Sequence, residues 1–187
     1  MNIFVLDRHP VTAARMMCDK HIPKMCVESL QMMGSALRRH GATDDQMPLS
    51  EAGKPIKGGY HHHPCTVWAG DSRANFAWLG MHGLGLCIEY ELRFGGKVHK
   101  CEHKIQQMYK MAELIPNGAL TPFAQAMPDQ YKCLDAVRAY RNYYRCEKAY
   151  FAKWQKGRAA PYWWPQVDRD GDPVFIHKVR AGEEIVA

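Results

Sequence analysis

Between Cys18 and Arg39 the chain reads C-D-K-H-I-P-K-M-C-V-E-S-L-Q-M-M-G-S-A-L-R-R. Pro23 suits a first helical turn, where its missing N–H costs nothing. Met25, Cys26, Val27, Leu30, Met33 and Leu37 then recur at helical spacing and define an apolar face. Residues set about 100° apart leave another strip to Lys24, Glu28, Gln31 and Ser35, flanked by Arg38 and Arg39. Asp19, Lys20 and His21 crowd the helix entrance, where free N–H groups favour anions. An amine, a carboxylate, an imidazole and an amide within a few turns could carry out proton transfer or imine chemistry. On pattern alone the plainer account leads: a solvent-facing strip with a Lys24–Glu28 pair worth about 0.3 kcal/mol.

A second constellation lies on a helix expected from Asp71 or Ser72 to about Phe94, stopped by Gly95-Gly96. It is apolar nearly all round, so it should be the buried central helix. Its polar exceptions fall on one line, Asn75, His82, Glu89 and Arg93, with Trp78, Leu79 and Leu86 beside them. Gly80, Gly83 and Gly85 each cost roughly 1 kcal/mol relative to alanine, so something should approach closely there. The line reads either as a site built on His82 and Glu89, or as a satisfied core histidine with a Glu89–Arg93 pair.

Metal chemistry finds little support. His61, His63 and Cys65, and again His99, Cys101 and His103, alternate along the chain without the steps of common zinc modules, so no metal is expected. D-R-D-G-D-P lacks the glutamate of a calcium loop and suits a turn. Phosphate-loop, dinucleotide and serine-hydrolase signatures are absent from the sequence, and no cofactor is expected.

The elements that must hold these residues are mainly helical. A short buried strand or extended arm, Ile3 to Leu6, precedes a short helix from Pro10 to Lys20 and the helix through Glu28. Residues 42–60, polar and rich in Gly and Pro, read as an exposed loop. After the central helix come a helical pattern over 97–115, a Pro-bracketed loop at 121–133 and a long basic helix starting at Asp135. On the last, Val137, Tyr140, Tyr144, Phe151 and Trp154 share one arc, with Glu147 oddly among them. Asp170-Gly171 suits a β-hairpin. The expectation is one mainly α domain, a bundle of about five helices spanning about 1–160. An N-terminal strand and an aromatic, β-hairpin segment over about 161–187 complete it.

At 187 residues one domain can bury a real core, and 47% apolar with 24% charged residues is ordinary for a soluble protein. No apolar run approaches the ~20 residues of a membrane span, and the first residues lack the plan of a secretory signal. Seven scattered cysteines suggest a reducing, cytoplasmic setting. From Lys132 to Arg158, eight basic residues face only Asp135 and Glu147, an excess equal to the whole net charge of +6. Basic groups interleaved with Tyr143, Tyr144, Tyr150, Trp154, Trp163 and Trp164 suit nucleic acid. An amphipathic helix with its aromatics in the core explains most of the tyrosines equally well.

L-D-R-H-P-V-T-A-A, C-D-K-H-I-P-K-M-C-V-E-S-L-Q-M, H-H-P-C-T-V-W-A, the ending E-Y-E-L-R-F-G, F-A-Q-A-M-P-D-Q-Y-K and A-Y-R-N-Y-Y-R-C-E-K together resemble a family of small proteins frequent in bacteriophage genomes. That family is described as pyrimidine-dimer DNA glycosylase of the endonuclease V type, and the resemblance spans roughly residues 1–155. It implies a small helical DNA-repair enzyme. In such enzymes a primary amine attacks C1′ of the damaged nucleotide, a glutamate assists, and the imine permits strand cleavage. Glu28 falls in the glutamate's place. The familiar amine is that of a threonine exposed when the initiator methionine is lost. Asn2 is too large for the usual removal, so the Met1 amine, Lys24 or Lys20 is expected to replace it.

Substrate binding then falls to Lys20, His21, Gln31, Glu89 and Arg93, and a flipped base to a pocket of His63, Trp68, Trp78 and His82. Arg138, Arg141, Arg145 and Lys148 would hold the DNA backbone. The expected partner is duplex DNA in the host-cell cytoplasm, with no membrane and no obligate protein partner. Two rival functions are an acid–base enzyme on nucleotides using Glu28, His82 and Glu89, and a non-catalytic DNA-binding phage accessory protein.

Overall fold

The computed structural model describes residues 1–165. Among them are six helices: α1 (Pro10–Met16), α2 (His21–Arg39), α3 (Pro64–Ala69), α4 (Arg73–Arg93), α5 (Glu102–Tyr109) and α6 (Ala136–Lys148). Caps set several starts. The His9 side chain accepts from Thr12 N–H ahead of Pro10, Ser72 accepts from Asn75 N–H, and Asp135 accepts from Val137 N–H. The mainly helical expectation therefore holds, with α3 as an element that six residues of P-C-T-V-W-A did not announce.

α4 is the central helix, and its glycines mark where neighbours press in. A Cβ on Gly80 would collide with the Tyr109 ring, and one on Gly85 would come within 3.2 Å of Ala14 on α1. Asn75, fully buried, donates to Trp68 O and Thr121 Oγ1 and accepts from Thr121 N–H, which pins the loop around residue 121 to the start of α4.

Three expectations need correction. Residues 3–6 are buried, but they form an arm and not a strand. The Ile3 and Phe4 N–H groups both bond to Asn2 Oδ1, and Phe4 has φ +33°, which breaks the pleat a ladder requires. The basic helix ends at Lys148, whose carbonyl accepts from Phe151 and Ala152, so Phe151 and Trp154 lie beyond it. The following chain turns back instead, with Lys153 O accepting from Asp19 N–H. Residues 56–59 of the polar loop are fastened to α2: Ser35 Oγ bonds both N and O of Gly59, and Arg38 donates to Ile56 O. The expected hairpin around Asp170-Gly171 lies outside the described residues. No helix among the described residues is long and apolar enough to cross a membrane.

Candidate active site

Glu28 sits about two turns into α2, one turn past Lys24 on the strip that Lys24 begins, yet it is only 8% exposed. The N-terminal arm covers it. Asn2 N–H donates to Glu28 Oε2 at 2.9 Å, the Met1 α-amine lies 3.7 Å from the same oxygen, and Lys24 Nζ is 3.4 Å from Oε1. The i, i+4 pair expected from sequence is thus present, but the carboxylate faces the chain's own first residues and not open water.

The arm is held from several sides. Asn2 Nδ2 donates to Ala126 O, and the Phe4 ring stacks on His21 at 4.7 Å and meets Tyr144 edge-on at 5.4 Å. A left-handed φ at phenylalanine costs on the order of 1–3 kcal/mol and persists only where surroundings over-determine it. Here the strain sits three residues from the Met1 amine.

His21 shares a 2.7 Å hydrogen bond with the Tyr144 hydroxyl. Burial, with the charges of Lys24, Lys148 and Lys20 added, pushes it down to about 3, so it is a neutral positioning group. Three lysines therefore converge on this face. Lys20 lies over the Phe151 ring, and Lys148 bonds the Tyr143 hydroxyl. His63, the half-buried cap of α3, accepts from Cys65 N–H at Nδ1, which leaves Nε2 to carry its proton. Burial and then the N-terminal amine lower its pKa, while Glu28 opposes them, so its ring feels both charges. Met1, Lys24, Glu28, His63 and His21 are thereby brought together, with Lys20 at the rim. Gln31, half-buried, stands farther along the strip beside Gly59.

Other expected site residues lie elsewhere. Trp68 and Trp78 meet at 5.9 Å with Phe123 against both, and each is at most 5% exposed. Trp78 stacks on His82, which is fully buried, bonded through Nδ1 to Pro10 O and pushed down to about 4 by burial. These rings fill core. His82 and Glu89 form no joint site: Glu89 binds Arg93 and Arg158, and Arg93 also donates to Arg15 O, Met17 O and Asp19. The plainer account, a core histidine and a Glu89–Arg93 pair, is the one the geometry supports.

Much of the basic segment is also engaged within the molecule. Arg141 donates to Leu6 O and Tyr162, Arg145 donates to Trp163 O, and Arg158 grips Glu89. Arg138 alone of the four expected backbone contacts is exposed. Glu147, odd within its arc, accepts from the Tyr131 hydroxyl. Sequence reasoning missed Asn2, whose amide organises the arm, although a polar residue opening an apolar run was a visible signal.

An α-amine held against a buried carboxylate, with lysines at the rim and a helical frame behind, defines an amine–carboxylate site suited to carbonyl-type or sugar C1′ chemistry. The model of one protein family, described as pyrimidine dimer DNA glycosylase, matches residues 1–103, and the chain belongs to that family. That stretch contains the arm, α2, His63 and α4. No curated protein and no solved structure matches the chain.

Proposed function

We propose that this protein is a DNA glycosylase that removes damaged or modified pyrimidines from duplex DNA and cleaves the resulting abasic site through an imine to its N-terminal amine. The observation that carries this reading is the Met1 amine 3.7 Å from the Glu28 carboxylate. The α-amine is held beside a buried carboxylate, whereas the Lys24 side chain is 64% exposed. Should Met1 be removed, the Asn2 nitrogen, 2.9 Å from Glu28, would become the amine at the same place.

In the reaction the neutral amine attacks C1′, and the bond from C1′ to the base breaks with its electron pair leaving on the base, which takes a proton. Glu28 accepts the proton released by the amine and delivers it to O4′ as the sugar ring opens to the imine. Loss of a C2′ proton then expels the 3′ phosphate, and water hydrolyses the imine to free the amine. Lys24, with a side chain 64% exposed, and the neighbouring Lys20 and Lys148 suit the flanking phosphates. Arg138 extends that surface. His63, beside the amine, is the residue best placed to meet an extruded base.

The acid–base alternative on mononucleotides loses ground because Glu28, His82 and Glu89 occupy separate environments, the last two sealed. Borohydride reduction after incubation with UV-irradiated and abasic duplexes tests the proposal. The expected result is a covalent adduct whose mass maps to the N-terminal peptide and which disappears in Glu28→Gln. Failure to trap or cleave either DNA would sink the lyase reading. Binding that persists unchanged in Glu28→Gln, with no chemistry on any substrate, would instead indicate an accessory protein.

A further inference from the structure

We infer that Cys26, Cys87 and His99 form a binding site for a zinc-class divalent cation that clamps α2, α4 and the α4–α5 loop together. One ligand atom from each lies within 4.8 Å of the other two. Tetrahedral zinc, with bonds of about 2.3 Å to sulfur and 2.0–2.1 Å to nitrogen, holds such atoms roughly 3.5–3.8 Å apart. A contraction of roughly 1 Å or less therefore closes the set around an ion.

The charges also suit burial. Two thiolates and a neutral imidazole cancel the 2+ of the ion, and a neutral unit can be held where Cys26 and Cys87 are 0% exposed. Loading releases protons from the Cys–Cys–His donor set to solvent, which makes uptake pH-dependent. Cys101, buried two residues past His99, donates its N–H to His99 Nδ1 at 3.1 Å and sets the ring's position, a bond that ligation through Nε2 gives up as the ring proton moves to Nδ1. Tyr90 meets the His99 ring edge-on at 4.7 Å from the other side.

The elements are already tightly packed here, since a Cβ on Gly83 would touch both Ser29 of α2 and Ile105 of α5. Two buried thiolates between packed helices suit an ion that braces the fold. The ligands come from three elements, so no spacing along the chain could reveal them. Cys26 lies between Lys24 and Glu28 in sequence, and the clamp would fix the rotation of the helix that presents both.

The full chain, purified without chelator, should carry about one zinc, measured by elemental mass spectrometry. Reconstitution with cobalt should give thiolate charge-transfer and tetrahedral d–d bands. Cys87→Ser should abolish both, and His99→Ala, at a half-exposed position that folding tolerates, should weaken binding at least about tenfold with an unchanged helical dichroism spectrum. The exposed Cys133→Ser serves as control and should bind like the parent. The inference is overturned by a folded chain that takes up neither metal, by equal uptake in His99→Ala, or by an intact mass showing Cys26 and Cys87 joined as a disulfide.

Discussion

Glu28 and Glu89 are both buried helical carboxylates, yet their surroundings differ in kind. Glu89 receives Arg93 and Arg158 in contacts of 2.7–2.9 Å, and Arg93 is saturated in turn by two carbonyls and Asp19. Glu28 has one short bond, from Asn2 N–H, and two amines at 3.4 and 3.7 Å. Burial alone would raise Glu89, but its bonds to Arg158 and Arg93 and their charges outweigh that and hold the carboxyl below its ordinary range. A carboxylate with every lone pair committed is scaffold. One whose charge partners stand slightly apart can still accept and return a proton.

Substitution should separate the two most sharply in rate. Glu28→Gln is expected to lower base excision and strand cleavage by about 10²–10⁴-fold, with a melting temperature close to the parent's. A variant that cuts at the parental rate would move Glu28 to the scaffold side of the comparison. Glu89→Gln should do the reverse. It leaves Arg93 buried without its full countercharge, and denaturant unfolding should read a loss of about 3–5 kcal/mol, while any folded fraction retains imine trapping.

Acid sharpens the contrast. His21 and His82, held to about 3 and about 4 in the fold, bind protons more readily when unfolded. Their stabilisation is complete above the ordinary histidine value of 6.5 and falls as pH drops below it, by about 1.4 kcal/mol per pH unit for each. His82 Nε2 has no partner among the described residues, so a proton there would be a bare buried charge. Glu89, with its lowered carboxyl, adds a loss only below about 4.5, the carboxyl's ordinary value. Urea melts between pH 7 and 4 should show the histidine slope first, and His82→Asn should remove one share of it. The smallest effect belongs to the rim: Lys148→Ala should reduce the slope of log affinity for duplex DNA against log salt by about 0.9. No change would place the backbone surface elsewhere on the molecule.

Local pattern carried much of this into view. The periodicity of α2 and α4, the caps at Ser72 and Asp135, the glycines of α4 and the Lys24–Glu28 pair all follow from spacing of one to a few turns. What spacing cannot give is which strip of a polar helix another segment will cover. The solvent-facing appearance of Glu28 was overturned by residues 1–4, and that of Ser35 by Gly59, both distant in sequence. The same blindness separated Arg145 and Arg158 from their internal partners. It also hid the cluster of Cys26, Cys87 and His99, whose members come from three elements far apart in the chain.

The arm has a consequence for when the protein can work at all. Residues 2–6 are held in part by near neighbours, Glu28 and His21, and in part by Ala126, Tyr140, Tyr143 and Tyr144, more than a hundred residues further along. At ordinary translation speeds the distant set follows the near one by on the order of ten seconds, during which the amine meets Glu28 without the second set of contacts. The fixed relation of amine and carboxylate is therefore completed only once α6 has been made, and a chain halted before it would hold its proposed catalytic atoms without their outer clamp.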